Sequence, residues 1–216
     1  MARRTKEEAL ATRHKLLDAA EHLFQAQGVS RTSLQDIARR AGATRGAIYW
    51  HFKDKADLFN AMMERVTLPL EQSFQDLAQE GQADPLAHIR NVVREALARI
   101  AGDPQTRRVF EVATHKVEYV DALQAVRLRH LTVRNEFLVQ VEGGLQAAAT
   151  RKGVELAVSP ATAAQGIHAI IDGLIQNWLL DSAAFDLVAV GQRVMDVYLA
   201  GLGFSGAGDI SATAGG

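Results

Sequence analysis

The chain has 216 residues, of which 48% are hydrophobic and 23% charged, enough apolar content for one or two packed domains. It contains no cysteine, which excludes disulfides, thiolate metal sites and thiol chemistry. No run of about 18 apolar residues occurs and MARRTKEEAL lacks a secretory apolar core, so a soluble cytoplasmic protein with no membrane segment is expected. The formal net charge of −1 hides an asymmetry: residues 1–55 carry 11 Lys/Arg against 6 Asp/Glu, and residues 56–216 carry 13 against 19. A basic head on an acidic body suits a protein that touches nucleic acid at one end only.

The chain opens on a basic tail, ARRTK, that reads equally as a solvated terminus and as an arm for phosphate contacts. Over 6–27, Leu16, Leu17, Ala20, Leu23 and Phe24 form an apolar stripe, and Gly28 ends the helix. Next comes TSLQDIARRAGATRGAIYWHFK, residues 32–53. Thr32 with Gln35 reads as a capping box, and Leu34, Ile37, Ala38 and Ala41 recur at helical spacing. Gly42 supplies the positive φ of a sharp turn, Thr44 caps a second helix, and Ala47 and Ile48 anchor it. Helix, glycine turn and helix make a helix-turn-helix, which packs under the first helix as a three-helix head with Ile37, Ile48 and Phe52 in its core.

In that motif the start of the second helix enters the DNA major groove, here Thr44, Arg45 and Gly46. Arg45 can pair bidentately with guanine O6 and N7, and Gly46 lets backbone and bases approach. Tyr49, His51, Lys53 and Lys55 carry donors suited to phosphate oxygens. The bland alternative is a helical hairpin with a solvated basic face.

The stretch TSLQDIARRAGATRGAIYWHFKDKADLF resembles the DNA-binding signature of TetR-family one-component transcriptional regulators, with YWHFKDK its most specific run. ARRTKEEALATRHKLLDAAEHLFQAQGVSRTSL fits the same pattern, and the likeness is strongest to the AcrR-type branch, repressors of multidrug efflux pumps. The resemblance implies DNA contacts from Thr32, Ser33, Thr44, Arg45, Gly46, Tyr49, His51 and Lys55.

Asp54 caps a long helix over 55–80, with Leu58, Phe59, Met62, Val66 and Leu70 on its inner face and a kink or break expected at Pro69. In the family this helix carries the ligand state to the head. Asp84-Pro85, Asp103-Pro104 and Ser159-Pro160 each place a capping side chain before a proline at the first helical position, predicting helices over 85–101, 104–116 and 160–181. A further helix over 121–152 has a weak point at Gly143-Gly144 and Gly153 just past its end. A last helix spans 186–201, and the tail 205–216 is expected to be disordered. The fold class is all-α: a head over 1–54, then a ligand-binding and dimerisation body over 55–204, about nine helices in all.

The segment 160–181 is apolar around most of its circumference, and the following helix shows Leu187, Val190, Val194, Met195, Val197 and Tyr198. One large monomer core explains this, and so does a four-helix interface with a second copy, as in the family, with Trp178 as an anchor. His168 and Asp172 share one face, either as a buried ion pair or as polar contacts in a ligand pocket. The resemblance extends that pocket to Val66, Thr67, Val93, Ala96, Phe110, Phe137, Val141 and Ile171, an apolar cavity suited to flat aromatic ligands. In RRVFEVATHKVEY, which resembles the family's segment with Tyr119 in place of a Phe, His115 and Glu118 read as salt-bridging with Arg107, Arg108 or Lys116 rather than as a metal pair.

These readings converge on a homodimeric, ligand-responsive repressor of a palindromic operator, controlling an efflux-pump operon and released by a small hydrophobic or aromatic inducer. No cofactor, metal or catalytic group is expected: nothing in the chain resembles a nucleophile elbow, a metal cluster or a phosphate-binding glycine loop. The alternatives are a regulator of metabolic genes that senses one lipid or aromatic metabolite, and a ligand-independent architectural DNA-binding protein.

Overall fold

The structure, a computed structural model, describes residues 6–75, 84–118 and 123–204. Among them the backbone forms nine α-helices and no strand: α1 (Lys6–Gln27), α2 (Leu34–Arg40), α3 (Arg45–His51), α4 (Lys55–Gln75), α5 (Pro85–Gly102), α6 (Pro104–His115), α7 (Gln124–Lys152), α8 (Pro160–Leu180) and α9 (Leu187–Gly201). No helix among the described residues is long and apolar enough to cross a membrane. The tail 205–216, the arm before Lys6 and Tyr119 lie outside the described residues.

Local chemistry sets most of these boundaries. The Asp103 carboxylate accepts the Thr106 N–H at 2.9 Å, and Ser159 Oγ accepts the Thr162 N–H at 3.2 Å, each with a proline opening the helix. Asp186 accepts the N–H groups of Val188 and Ala189, both at 3.0 Å. Each cap satisfies helix-end donors that have no partner within the helix, a contribution of about 1 kcal/mol. Bonding from Thr106 holds the Asp103 carboxyl below its usual value. At the exits, Gly28 and Gly153 adopt φ of 83° and 62°, which L side chains rarely reach.

Three expectations change. The capping box of α2 is Ser33 with Asp36, not Thr32 with Gln35: Ser33 Oγ accepts the Asp36 N–H at 3.1 Å, and the Asp36 carboxylate accepts the Ser33 N–H at 3.2 Å. Thr32 cannot serve, because its side chain turns inward at 1% exposure and its hydroxyl donates to the Gly28 carbonyl at 2.8 Å. No break occurs at Pro69, since α4 continues to Gln75. Trp178 is buried within its own chain at 4% exposure, so its ring is packing rather than an anchor offered to a partner.

The described chain divides into two compact units, one of Met1–Gln72 with Arg99–Asn135, the other of Ser73–Ala98 with Glu136–Gly216. In the first, Leu16, Leu17 and Phe24 of α1, Ile37 of α2, Ile48 of α3, Leu58, Phe59 and Met62 of α4, and Val109 and Val112 of α6 form one buried cluster. Each such side chain removed from water contributes roughly 1.5–3 kcal/mol. Phe52 closes the cluster below α3 at 1% exposure. Where α1 ends, the Val29 N–H donates to the Lys116 carbonyl at 3.0 Å, joining the α1–α2 loop to the end of α6. Arg107 donates to the Ala101 carbonyl. Arg108 turns to Glu21 at 3.5 Å, and Glu118 accepts from Ser30 Oγ at 3.2 Å.

In the second unit two glycines mark close approaches, Gly191 of α9 to α5 and Gly166 of α8 to α9. Gly191 lies where an added Cβ would stand 2.3 Å from Leu97 Cδ1, and Gly166 faces the Tyr198 hydroxyl. That hydroxyl donates to the Ala163 carbonyl at 3.1 Å, and burial pushes its pKa up. Arg90 of α5 and Asp196 of α9 form an ion pair at 2.9 Å.

Candidate nucleic-acid interface

The α2–α3 pair is built by short-range bonds. The Ala43 N–H donates to the Ala38 carbonyl at 2.9 Å across a turn in which Gly42 has φ 65°. Thr44, extended at φ −77° and ψ 157°, caps α3 by accepting the Ala47 N–H at 3.2 Å. Because Ala47 and Ile48 are buried at 8% and 0% exposure, the opposite face of α3 is turned to solvent. Thr44, Arg45, Gly46, Tyr49 and Trp50 are all exposed there.

The Arg45 guanidinium lies 5.7 Å from the Tyr49 ring centroid, a cation–π contact that holds a long side chain out from the helix start. An added Cβ on Gly46 would meet nothing closer than Thr44 Oγ1 at 4.0 Å, so its surroundings within the chain are open. Trp50 is 73% exposed and meets His51 edge-on with ring centroids 4.5 Å apart.

Beside α3 runs an open groove of about 580 Å³, with Arg31, Ser33, Gln35, Tyr49 and Lys53 among its walls. Arg31 and Lys53 on one concave surface are suited to phosphate oxygens. Lys55 also lines the groove, but its ammonium is directed inward, donating to the carbonyls of Val29 at 2.8 Å, Ser30 at 3.1 Å and Thr32 at 2.9 Å. Burial pushes the Lys55 pKa down. Thr32 is enclosed beneath the same loop. The sequence does not point to Arg31 or Trp50: Arg31 sits before the helical pattern begins, and Trp50 reads from sequence as one more apolar residue of α3.

The residues expected to line a ligand pocket fall in both units. Val66, Thr67 and Phe110 belong to the first; Val93, Ala96, Phe137, Val141, His168, Ile171 and Asp172 belong to the second. Val66, Val93, Ala96 and Val141 are buried. Thr67 donates to Glu71 at 2.7 Å, and Glu71 in turn accepts from Arg129 at 3.0 Å. Phe137 and His168 are brought together, with ring centroids 5.8 Å apart. Asp172 is not buried: it is exposed on α8 and accepts from Gln176 at 2.5 Å, one helical turn on. Among the described residues no group of three or more His, Asp or Glu is placed to hold a metal ion.

A short helix held by its cap, its buried face locked and its other face bearing Arg45, Tyr49 and Trp50, defines a helix-turn-helix DNA-binding regulator. The chain belongs to the tetR family of bacterial regulatory proteins: residues 16–62 match that family, and residues 84–204 match the C-terminal region of MAATS-type transcriptional repressors. It is 35% identical over 199 residues to the HTH-type transcriptional regulator TtgR of Pseudomonas putida, covering 92% of this chain and 95% of that one. The structure of NalD, the secondary repressor of the MexAB-OprM multidrug efflux pump in Pseudomonas aeruginosa, matches with a TM-score of 0.82 at 34% identity, over 91% of this chain and 98% of that one. SmeT, the repressor of the Stenotrophomonas maltophilia multidrug efflux pump SmeDEF, matches in its triclosan complex with a TM-score of 0.78 at 31% identity, over 88% and 90%.

Proposed function

We propose that this chain is a ligand-released repressor of a multidrug efflux pump operon, acting in the cytoplasm by binding rather than by catalysis. The observation that carries the reading is the solvent-facing surface of α3, where Arg45, Gly46, Tyr49 and Trp50 stand free of the core. Residues 1–54 form the DNA-binding domain. Thr44, Arg45 and Gly46 enter the major groove, while Tyr49, His51 and Lys53 meet the phosphates.

The body, 55–204, binds a flat hydrophobic or aromatic inducer, with Phe137 and His168 as one wall. The relatives support this: NalD and SmeT are named as repressors of multidrug efflux pumps, and SmeT is solved with triclosan. The active species is a homodimer joined through α8 and α9. Leu180 at 71% and Val197 at 74% exposure are large apolar groups that those helices turn to solvent in the single chain, with Val194 partly exposed beside them. Two heads on a palindrome must stand about 34–36 Å apart, one DNA turn. A ligand that prefers a state with another spacing weakens operator binding by its differential affinity for the two states.

The test is fluorescence anisotropy on the DNA upstream of this protein's own gene, repeated with a panel of unrelated hydrophobic and aromatic compounds. Tight binding released by several of them is expected. Release by a single metabolite alone would favour a metabolic sensor, and binding that no compound alters would remove the ligand-released reading.

A further inference from the structure

Lys55 is the first residue of α4, yet its ammonium reaches back to the loop between α1 and α2. An ammonium has three N–H donors. Here three carbonyls take them, those of Val29, Ser30 and Thr32, at 2.8, 3.1 and 2.9 Å. No N–H is left for a phosphate oxygen unless this knot opens.

The knotted loop is pinned at other points as well. The Val29 N–H donates to Lys116 O at 3.0 Å, and the Thr32 hydroxyl donates to Gly28 O at 2.8 Å. Directly in front of the knot stand the exposed Arg31 and Ser33, the latter capping α2, on the wall of the groove that Tyr49 and Lys53 also line. Lys55 is itself part of that wall, with its ammonium bonded back into the loop, and these bonds hold the stretch of chain on which Arg31 stands.

Resting on the DNA-binding reading, we propose that Lys55 is a positioning residue: it ties the first turn of α4 to the α1–α2 loop and so sets Arg31 against the DNA backbone, without itself bonding a phosphate. The start of α4 and the loop then move as one piece, and a displacement of this turn reaches the groove wall directly. Arginine cannot replace it, because a planar guanidinium spreads its donors in a fork and cannot converge on three carbonyls.

The test compares the full-length wild type with Lys55→Met, Lys55→Arg, Arg31→Ala and the Lys55→Met/Arg31→Ala double variant. Operator affinity is read by anisotropy well below each melting temperature. Wild-type binding establishes the DNA-binding reading independently of the variants. Lys55→Met is expected to raise Kd by roughly tenfold or more, Lys55→Arg to fail to restore it, and Arg31→Ala to cost less in the Lys55→Met background than alone. Restoration by Lys55→Arg with additive losses would make Lys55 a phosphate contact and overturn the proposal. An unchanged Kd for Lys55→Met, or no loss from Arg31→Ala alone, would overturn it too. If Lys55→Met does not fold, Lys55→Arg decides by itself.

Discussion

Arg65 of α4 pairs with Glu21 of α1 at a carboxylate only 1% exposed. The same carboxylate accepts from Gln105 at 3.0 Å and pairs with Arg108 at 3.5 Å, both on α6, so one buried charge ties three helices of the first unit. Arg65 also reaches Asp18 at 2.8 Å, but that carboxylate is 57% exposed. Removing one member of a buried network strands the rest. Glu21→Ala should therefore cost about 3 kcal/mol, the low end of such losses because both guanidinium groups keep some water. Asp18→Ala should cost at most about 1 kcal/mol. Urea denaturation midpoints at constant slope measure both; equal midpoints would mean that Glu21 does not organise the three helices.

Arg45 stands at the start of α3 with its guanidinium steadied on Tyr49. Arg45→Ala should lose about 1–3 kcal/mol of operator affinity and relax the preference at one base position in each half-site, as a lost bidentate guanine contact does. Competition with a set of single-base operator variants reads this directly. A loss that is uniform over every sequence would assign Arg45 to a phosphate instead.

The two tryptophans report from different places. Trp50 is 73% exposed on α3, and Trp178 is 4% exposed on α8. Operator binding should change the emission of the wild type, and Trp50→Phe should abolish that change while leaving the emission of Trp178. A DNA-induced signal that survives Trp50→Phe would show that the body responds to DNA.

Gly191 and Gly166 differ in what surrounds them. An added Cβ at Gly191 would stand 2.3 Å from Cδ1 of Leu97, which is wholly buried. At Gly166 it would meet the hydroxyl end of Tyr198, a ring that is only partly covered and can swing out. Gly191→Ala should destabilise by about 1–3 kcal/mol through overpacking, and Gly166→Ala by about 1 kcal/mol, the Ala163 hydrogen bond it gives up. Thermal melting of both variants ranks them, and the reverse order would show that Leu97 has room to move.

Helix positions were legible in the residues because they are set within a few positions of the chain. Asp103 before Pro104, Ser159 before Pro160, Asp186, Thr44, Gly28 and Gly42 act on backbone groups no more than four residues away, and each stands where its local pattern placed it. The register of the helix-turn-helix is equally local, since Ala38, Gly42, Ala43 and Thr44 close it on themselves. Even so, local pattern could not choose between two adjacent hydroxyls. Burial turned Thr32 inward and left Ser33 as the cap.

The partners of the charges came from packing. Lys55 bonds carbonyls that precede it by 23 to 26 residues, and Glu21 meets groups that follow it by 44 to 87. Nothing in residue type separates a lysine that faces a phosphate from one that closes a loop. Asp172 shows the converse: four residues from His168 in an apolar helix it reads as buried, but the packing of α8 turned it to solvent beside Gln176. Residue order is enough to say where each helix begins, where it turns and which short helix is offered to DNA, because those depend on bonds to near neighbours. Which charges are buried, and what they hold together, depends on surfaces that meet only once the helices have packed.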